Sequence, residues 1–133
     1  MSKLTAIIEK IQNVDNLNIV SFDFNSISLK MMSLDLSEDI SVGKKVSLNI
    51  KPTSVAIGKN FIGELSYSNK ISSKIVSIKE GKLLCSIQLL VADTVFESII
   101  TLESVQRMNL KIGDAVIALV KANEISIAEV LHD

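Results

Sequence analysis

Apolar and polar residues alternate along much of the chain. Residues 46–50 (Val-Ser-Leu-Asn-Ile) repeat with a period of two, which is typical of a strand with one buried face. Turn-forming residues recur at short intervals, as at 13–16 and 23–26. Only residues 102–110 have helical spacing, over one short turn. The pattern predicts an all-β protein made of many short strands.

The chain contains two copies of one module. Residues 43–51 resemble residues 113–121 at an offset of 70, and the apolar residues of 4–11 match those of 71–78 at an offset of 67. The change in offset predicts insertions between these blocks. We expect a first domain at 1–62 and a second at 63–133. Short strands with little helix favour two tandem five-stranded OB-like antiparallel barrels, each with a short helical turn, although the pattern does not exclude small sandwiches.

One strand differs between the copies. Residues 46–50 alternate, whereas their counterparts at 116–120 (Val-Ile-Ala-Leu-Val) are apolar throughout. A strand that is apolar on both faces is usually covered on both faces. In a domain of this size, the second cover is expected to be another domain or another subunit.

Composition excludes several classes of protein. Hydrophobic residues make up 47% of the 133, and 14 basic residues nearly balance 15 acidic ones. This balance argues against nucleic-acid binding, which depends on clustered positive charge. No signal peptide and no apolar run long enough for a membrane helix is found, so we expect a cytoplasmic protein with no membrane insertion. The single cysteine, Cys85, lies in an apolar stretch and is expected in the core.

Catalytic residues are scarce. The one histidine, His132, is next to last, no nucleophile–base set can be assembled, and Cys and His clusters for a metal cation are missing. We therefore expect no enzyme. Small polar and cationic groups remain at 66–70, 101–104 and 121–123, and they suit a tetrahedral oxyanion. The alternative is ordinary structure, with Thr101 or Ser104 as a helix N-cap and Lys121 facing solvent.

Three ordered segments resemble a known family. Residues 66–75 (Ser-Tyr-Ser-Asn-Lys-Ile-Ser-Ser-Lys-Ile), 100–105 (Ile-Thr-Leu-Glu-Ser-Val) and 110–125, which include Gly-Asp and Leu-Val-Lys-Ala, resemble the molbindin (Mop) domain, a branch of the TOBE domains. The resemblance covers 66–128. The first copy, over 3–58, is more divergent and is closer to the TOBE domains at the ends of transporter ATPases.

The resemblance implies a function. Two-domain molbindins bind molybdate or tungstate at domain or subunit interfaces and buffer it in the cytoplasm, usually as homo-oligomers, here a trimer or a dimer. The implied oxyanion contacts are Ser66, Ser68, Asn69, Thr101, Ser104, Lys121 and Ala122, with Lys51 as the first copy's counterpart of Lys121. Ala122 would contribute only its backbone.

Ser68 departs from the family pattern, which has arginine at this position. Losing a guanidinium removes a fixed charge and several donors. The anion would then be bound more weakly, be held by backbone groups and Lys121, or be lost from this copy. The alternative function is a stand-alone regulatory module that acts on a molybdate or tungstate transporter or on a transcription regulator. A domain without a ligand is a third possibility.

Overall fold

Residues 2–132 form ten strands and one α-helix. The structure, a computed structural model, describes residues 2–132. The first half contains β1 (Ser2–Val14), β2 (Leu17–Phe24), β3 (Ile27–Leu34), β4 (Lys45–Ile50), a 3₁₀ turn (Pro52–Ser54) and β5 (Ala56–Gly58). The second half contains β6 (Asn69–Glu80), β7 (Leu84–Val91), β8 (Thr94–Thr101), α1 (Leu102–Arg107), β9 (Ala115–Val120), a 3₁₀ turn (Ala122–Glu124) and β10 (Ile125–Leu131). The predicted all-β class is confirmed.

The strands form two five-stranded antiparallel sheets that exchange strands. The first sheet has the order β10-β4-β1-β2-β3 and the second has the order β5-β9-β6-β7-β8. Ile125 of β10 pairs with Ile50 of β4, and Ile57 of β5 pairs with Ala118 of β9. Each half therefore supplies the last strand of the other half's sheet. The division between residues 62 and 63 stays a prediction about the repeated modules.

The internal repeat is visible strand by strand. β1, β2 and β3 correspond to β6, β7 and β8 at the offset of 67, and β4 corresponds to β9 at the offset of 70. The change in offset arises between β8 and β9, where the loop is three residues longer than its counterpart and contains α1. The predicted insertion and helical turn are therefore confirmed. Residues 35–44 contain no helix, and the short helical turn that both halves share is the 3₁₀ turn after β4 and after β9.

Alternation directs every second side chain of the long strands into the core. Leu4 and Ile8 of β1 and their counterparts Ile71 and Ile75 of β6 are fully buried. The register of β1 against β2 shifts just after Ile8, and that of β6 against β7 shifts just after Ile75. Bulges of this kind bend a strand and increase its twist. Both sheets therefore curve at equivalent points around their apolar faces.

Most of β9 is buried within the chain. Val116, Ala118, Leu119 and Val120 are all buried, and β5 from the first half lies beside them in the sheet. A neighbour in the sheet covers an edge of β9 and not a face, so the cover of its second face by another domain stays a prediction. A subunit interface at this strand stays a prediction. Cys85 is buried and unpaired, as expected of a core cysteine.

Equivalent hydrogen bonds join the two halves. The Asn69 amide oxygen accepts from the Lys30 backbone N–H at 2.7 Å, and its amide nitrogen donates to the Lys30 carbonyl at 3.0 Å. In the repeat, Ser2 takes the place of Asn69, and its hydroxyl accepts from the Glu97 N–H at 2.9 Å. Because Lys30 and Glu97 also correspond, the halves are related by an approximate twofold axis.

Candidate functional site

Two lysines lie in the short segments that lead into the exchanged strands β5 and β10. Lys51 follows β4 and Lys121 follows β9, each with an extended backbone directly before a 3₁₀ turn, and both side chains are exposed. The Ser54 hydroxyl of the first turn donates to the Glu124 carboxylate of the second at 2.9 Å. Ser54 and Glu124 are equivalent positions of the repeat. The two turns therefore meet at the approximate twofold axis, with one lysine beside each.

A small polar cleft lies beside Lys51. Its volume is about 170 Å³, and its lining residues are Asn49, Lys51, Asn123, Glu124, Ile125 and Ser126. Asn49 of β4 pairs with Ser126 of β10, so the strand exchange brings the two polar side chains together. The Asn49 amide oxygen is buried and has no hydrogen-bond partner among the described residues. Rotating this amide by half a turn would present two N–H donors instead.

The environment of Lys121 is less polar. The positions that correspond to Asn49 and Ser126 hold Leu119 and Ala56, which pair with each other in the second sheet. An oxyanion there would be left with fewer side-chain donors than one beside Lys51. The polar groups therefore favour the first copy's turn, whereas the family resemblance places most of its contacts in the second copy.

Residues 66–69, the start of the first family-like segment, lie next to Lys121, and the three predicted contacts among them have different environments. Asn69 pairs with Val120, so Ser68 lies across from Lys121 where the two strands end. Ser66 and Ser68 are exposed. Asn69 is fully buried, and both ends of its amide are bonded to Lys30. Within one chain, Ser68, Lys121 and the following Ala122 are thus brought together, while Asn69 joins the two halves.

Thr101 and Ser104 lie at the other end of β6. Thr101 pairs with Leu84 beside the β6–β7 turn, far along the strand from Asn69. Thr101 is the N-cap of α1, and its hydroxyl oxygen accepts from the Ser104 N–H at 3.1 Å. This confirms the capping role for Thr101 that the sequence allowed. One chain does not bring Thr101 and Ser104 to the same place as Lys121.

Lys59, which the sequence analysis did not single out, fixes the end of α1. Its ammonium donates to the carbonyls of Met108 and Asn109 at 3.2 and 2.8 Å. It also forms an ion pair of 3.1 Å with Asp114. The backbone N–H of Lys111, and then the Lys59 ammonium, lower the pKa of Asp114, because both stabilise its carboxylate. The chain between the halves is thereby attached to the second half.

We expect Asp114→Asn to destabilise the fold in a pH-dependent way. A carboxyl with a lowered pKa contributes stability above its ordinary value of 3.8 and loses that contribution as the pH falls through its value in the folded protein. Urea unfolding should therefore show a lower midpoint for the variant at pH 7, with the difference shrinking below pH 3.8. The exposed Glu38→Gln is the control. A difference between Asp114→Asn and the original chain that is the same at every pH would contradict this role.

Residues 2–132 offer neither a cluster of metal ligands nor a membrane-spanning helix. No group of three or more His, Cys, Asp or Glu side chains there could hold a metal ion. No helix in this range is long and apolar enough to cross a membrane.

The fold and the paired turns define a class: a duplicated β-protein whose halves exchange their last strands beside two lysines. A family model described as the TOBE domain matches residues 65–127. This match spans most of the second half of the chain. No curated protein is significantly similar in sequence.

A solved structure shares the fold of nearly the whole chain. It is the cytoplasmic molybdate-binding protein ModG with molybdate bound, with a TM-score of 0.87. The similarity covers 94% of this chain and 93% of that one, with 20% of residues identical. Both halves and the strand exchange thus lie within one shared architecture.

Proposed function

We propose that this protein binds molybdate or tungstate in the cytoplasm, for storage or homeostasis, and performs no chemistry on it. The observation that carries the proposal is the TOBE domain at 65–127, within a fold shared with the molybdate-binding protein ModG. The lysine-flanked turns support it, because exposed ammonium groups and nearby amide and hydroxyl donors are what a small oxyanion needs. Each half would act as an OB-like barrel.

The proposed first site is the cleft beside Lys51. Lys51 supplies charge, while Asn49, Asn123 and Ser126 supply amide and hydroxyl donors. Glu124 is the one acidic residue that lines this cleft, and its carboxylate already accepts from Ser54. That bond ties the Glu124 carboxylate to the turn after Lys51, where the Ser54 N–H donates to the Lys51 carbonyl at 2.9 Å. We place the first site here because the polar groups come from two strands in fixed register.

The proposed second site lies at Lys121. Ser68, Ser66 and the backbone of Ala122 would complete it, as the family resemblance implies. Without arginine at position 68, and with Leu119 in place of Asn49, this site should bind more weakly than the first. Thr101 and Ser104 would contact the same anion only across a subunit boundary, in a trimer or dimer. Asn69 would support this site by holding the first strand of the second half in place.

Replacing each lysine separately tests whether the first site binds molybdate more tightly than the second. Lys51→Ala should weaken molybdate binding at least tenfold in calorimetric titration, because it removes the one cation that lines the cleft. Lys121→Ala should have the smaller effect. Lys82→Ala, in the exposed β6–β7 turn, is the control. Unchanged affinity in Lys51→Ala and a large loss in Lys121→Ala would move the main site to the second copy.

A stand-alone regulatory module is the second candidate function. One feature favours it: an open groove of about 670 Å³ between β3 and β10, which a partner protein could occupy. The two functions are compatible, since a protein that binds the oxyanion can also signal its presence to a partner protein.

A further inference from the structure

Ser98 of β8 is a polar residue on an apolar face of its strand. The residues on either side of it along that face, Phe96 and Ile100, pack in the core, and Ser98 itself is fully buried. Its hydroxyl donates to the Val55 carbonyl at 2.7 Å, so the bond joins the second half to the first. A buried hydroxyl is costly unless it is hydrogen-bonded. This bond therefore holds Ser98 and Val55 in one arrangement.

The bond fixes the end of the 3₁₀ turn that follows Lys51. Val55 is the residue directly after this turn, and its N–H donates to the Pro52 carbonyl at 3.3 Å. The Ser54 N–H donates to the Lys51 carbonyl at 2.9 Å. Pro52 also restricts the backbone, because its ring fixes φ. Two consecutive hydrogen bonds and one proline therefore connect the carbonyl that Ser98 holds to the backbone that carries the Lys51 side chain.

The repeat shows that the fold does not require a serine at this position. The counterpart of Ser98 at the offset of 67 is Met31, which is also buried and whose thioether has no hydrogen to donate. The counterpart of Val55 is Ile125, which begins β10 and is paired with β4. Val55 lies just before β5, whose pairing with β9 begins at Ala56. The Ser98 bond therefore holds the chain at a point where strand pairing holds its counterpart.

We propose that Ser98 is a positioning residue for the first oxyanion site, because it holds the turn that directs Lys51. Lys51 lines the cleft with Asn49 and Ser126, and those two side chains are kept in register by the pairing of β4 with β10. Lys51 lies beyond the end of β4, so its direction depends on the turn. A restrained turn leaves Lys51 fewer arrangements to give up on binding, and this raises the affinity. Ser98 does not touch the anion, and the inference rests on the proposed function of this cleft.

Molybdate titration of Ser98→Ala tests this inference. The affinity of the first site should fall about three- to tenfold, the loss expected when one hydrogen bond no longer restrains the turn. Ser98→Cys keeps the shape with a weaker donor and should lose less. Ser73→Ala is the matched control, because Ser73 is also buried but its hydroxyl donates to the Ile71 carbonyl within β6, at 2.9 Å. This control should bind molybdate as the original chain does.

A double-mutant cycle with Lys51 separates positioning from a general loosening of the fold. In the Lys51→Ala background, Ser98→Ala should weaken binding by less than about twofold, because the side chain that it positions is already absent. A general loosening would weaken binding by the same factor in both backgrounds.

Amide hydrogen exchange in the absence of anion gives a second readout. The Ser54 N–H should exchange at least about fivefold faster in Ser98→Ala, because the turn opens more often when its end is released. The Glu124 N–H makes the equivalent bond to the Lys121 carbonyl in the second turn, at 3.0 Å. Its exchange should change by less than about twofold, since Ser98 does not hold that turn.

Unchanged molybdate affinity in Ser98→Ala would overturn the inference, as would an equal loss in Ser73→Ala or an equal further loss in the Lys51→Ala background. Unchanged exchange at Ser54 would overturn it without reference to the anion. When the original chain binds molybdate, these outcomes leave the proposed function intact. If the original chain does not bind it, the proposed function fails and this inference fails with it.

Discussion

A chain that ends at Glu124 is expected to lose the folded first sheet. It would lack β10, the partner of β4, and with it Ile125, which is only 3% exposed. Ile127 and Val130 also pack against the core. Fully burying such a side chain contributes about 1.5–3 kcal/mol. The loss of this buried side chain, of the partial burial of Ile127 and Val130 and of the strand's hydrogen bonds is a large part of a total stability of about 5–15 kcal/mol.

The measurement is the near-ultraviolet circular dichroism and urea unfolding of the truncated chain. A chain that ends at Leu131 is the matched control, because it keeps the whole of β10 and should unfold like the original chain. If the chain that ends at Glu124 kept its cooperative unfolding transition with an unchanged midpoint, the exchange of strands would not be part of the stable fold.

Asn69→Ala is expected to lower the free energy of unfolding by about 1–3 kcal/mol. The substitution removes two part-buried hydrogen bonds to the backbone of Lys30, and each contributes about 0.5–1.5 kcal/mol. Asn69 is itself fully buried, so water cannot replace its amide without entering the space between the halves. Chemical unfolding at equilibrium measures the change.

The internal repeat supplies a graded control for Asn69. Ser2 makes the equivalent contact with a single hydroxyl. Asn69→Ser should therefore retain more stability than Asn69→Ala, because a hydroxyl at this position can still accept one bond. Ser66→Ala, at an exposed position, should change stability by less than about 0.5 kcal/mol. Equal stability of Asn69→Ala and the original chain would show that the amide does not join the halves.

Much of the fold could be predicted because its signals are local. Alternation marks the strands, and the offsets of 67 and 70 mark the repeat and the insertion that holds α1. The exchange of β5 and β10 could not be predicted. Each of these strands has an equivalent partner in its own half, β4 or β9, and the sequence does not state which one it joins. The length and course of the chain between the halves decide that pairing.

The sequence predicted only those residues of the candidate site that can be recognised from their neighbours along the chain. Lys51 and Lys121 stand out because they end matching strands before matching turns. Asn49 and Ser126 were missed, since they meet only through the exchanged strand. Asn69 has the family's residue type, but its amide is used to join the halves. Polar residues in a family motif can therefore support a site as well as line it.

Calorimetric titration of the intact chain with molybdate, tungstate and sulfate tests the central claim most directly. We expect saturable heat with molybdate and tungstate and weaker binding of sulfate, a slightly smaller anion that fits the same donors less well. The melting temperature should rise with each ligand in the same order, because binding to the folded state alone stabilises it. No heat and no thermal shift with any of the three anions at millimolar concentration would contradict oxyanion binding.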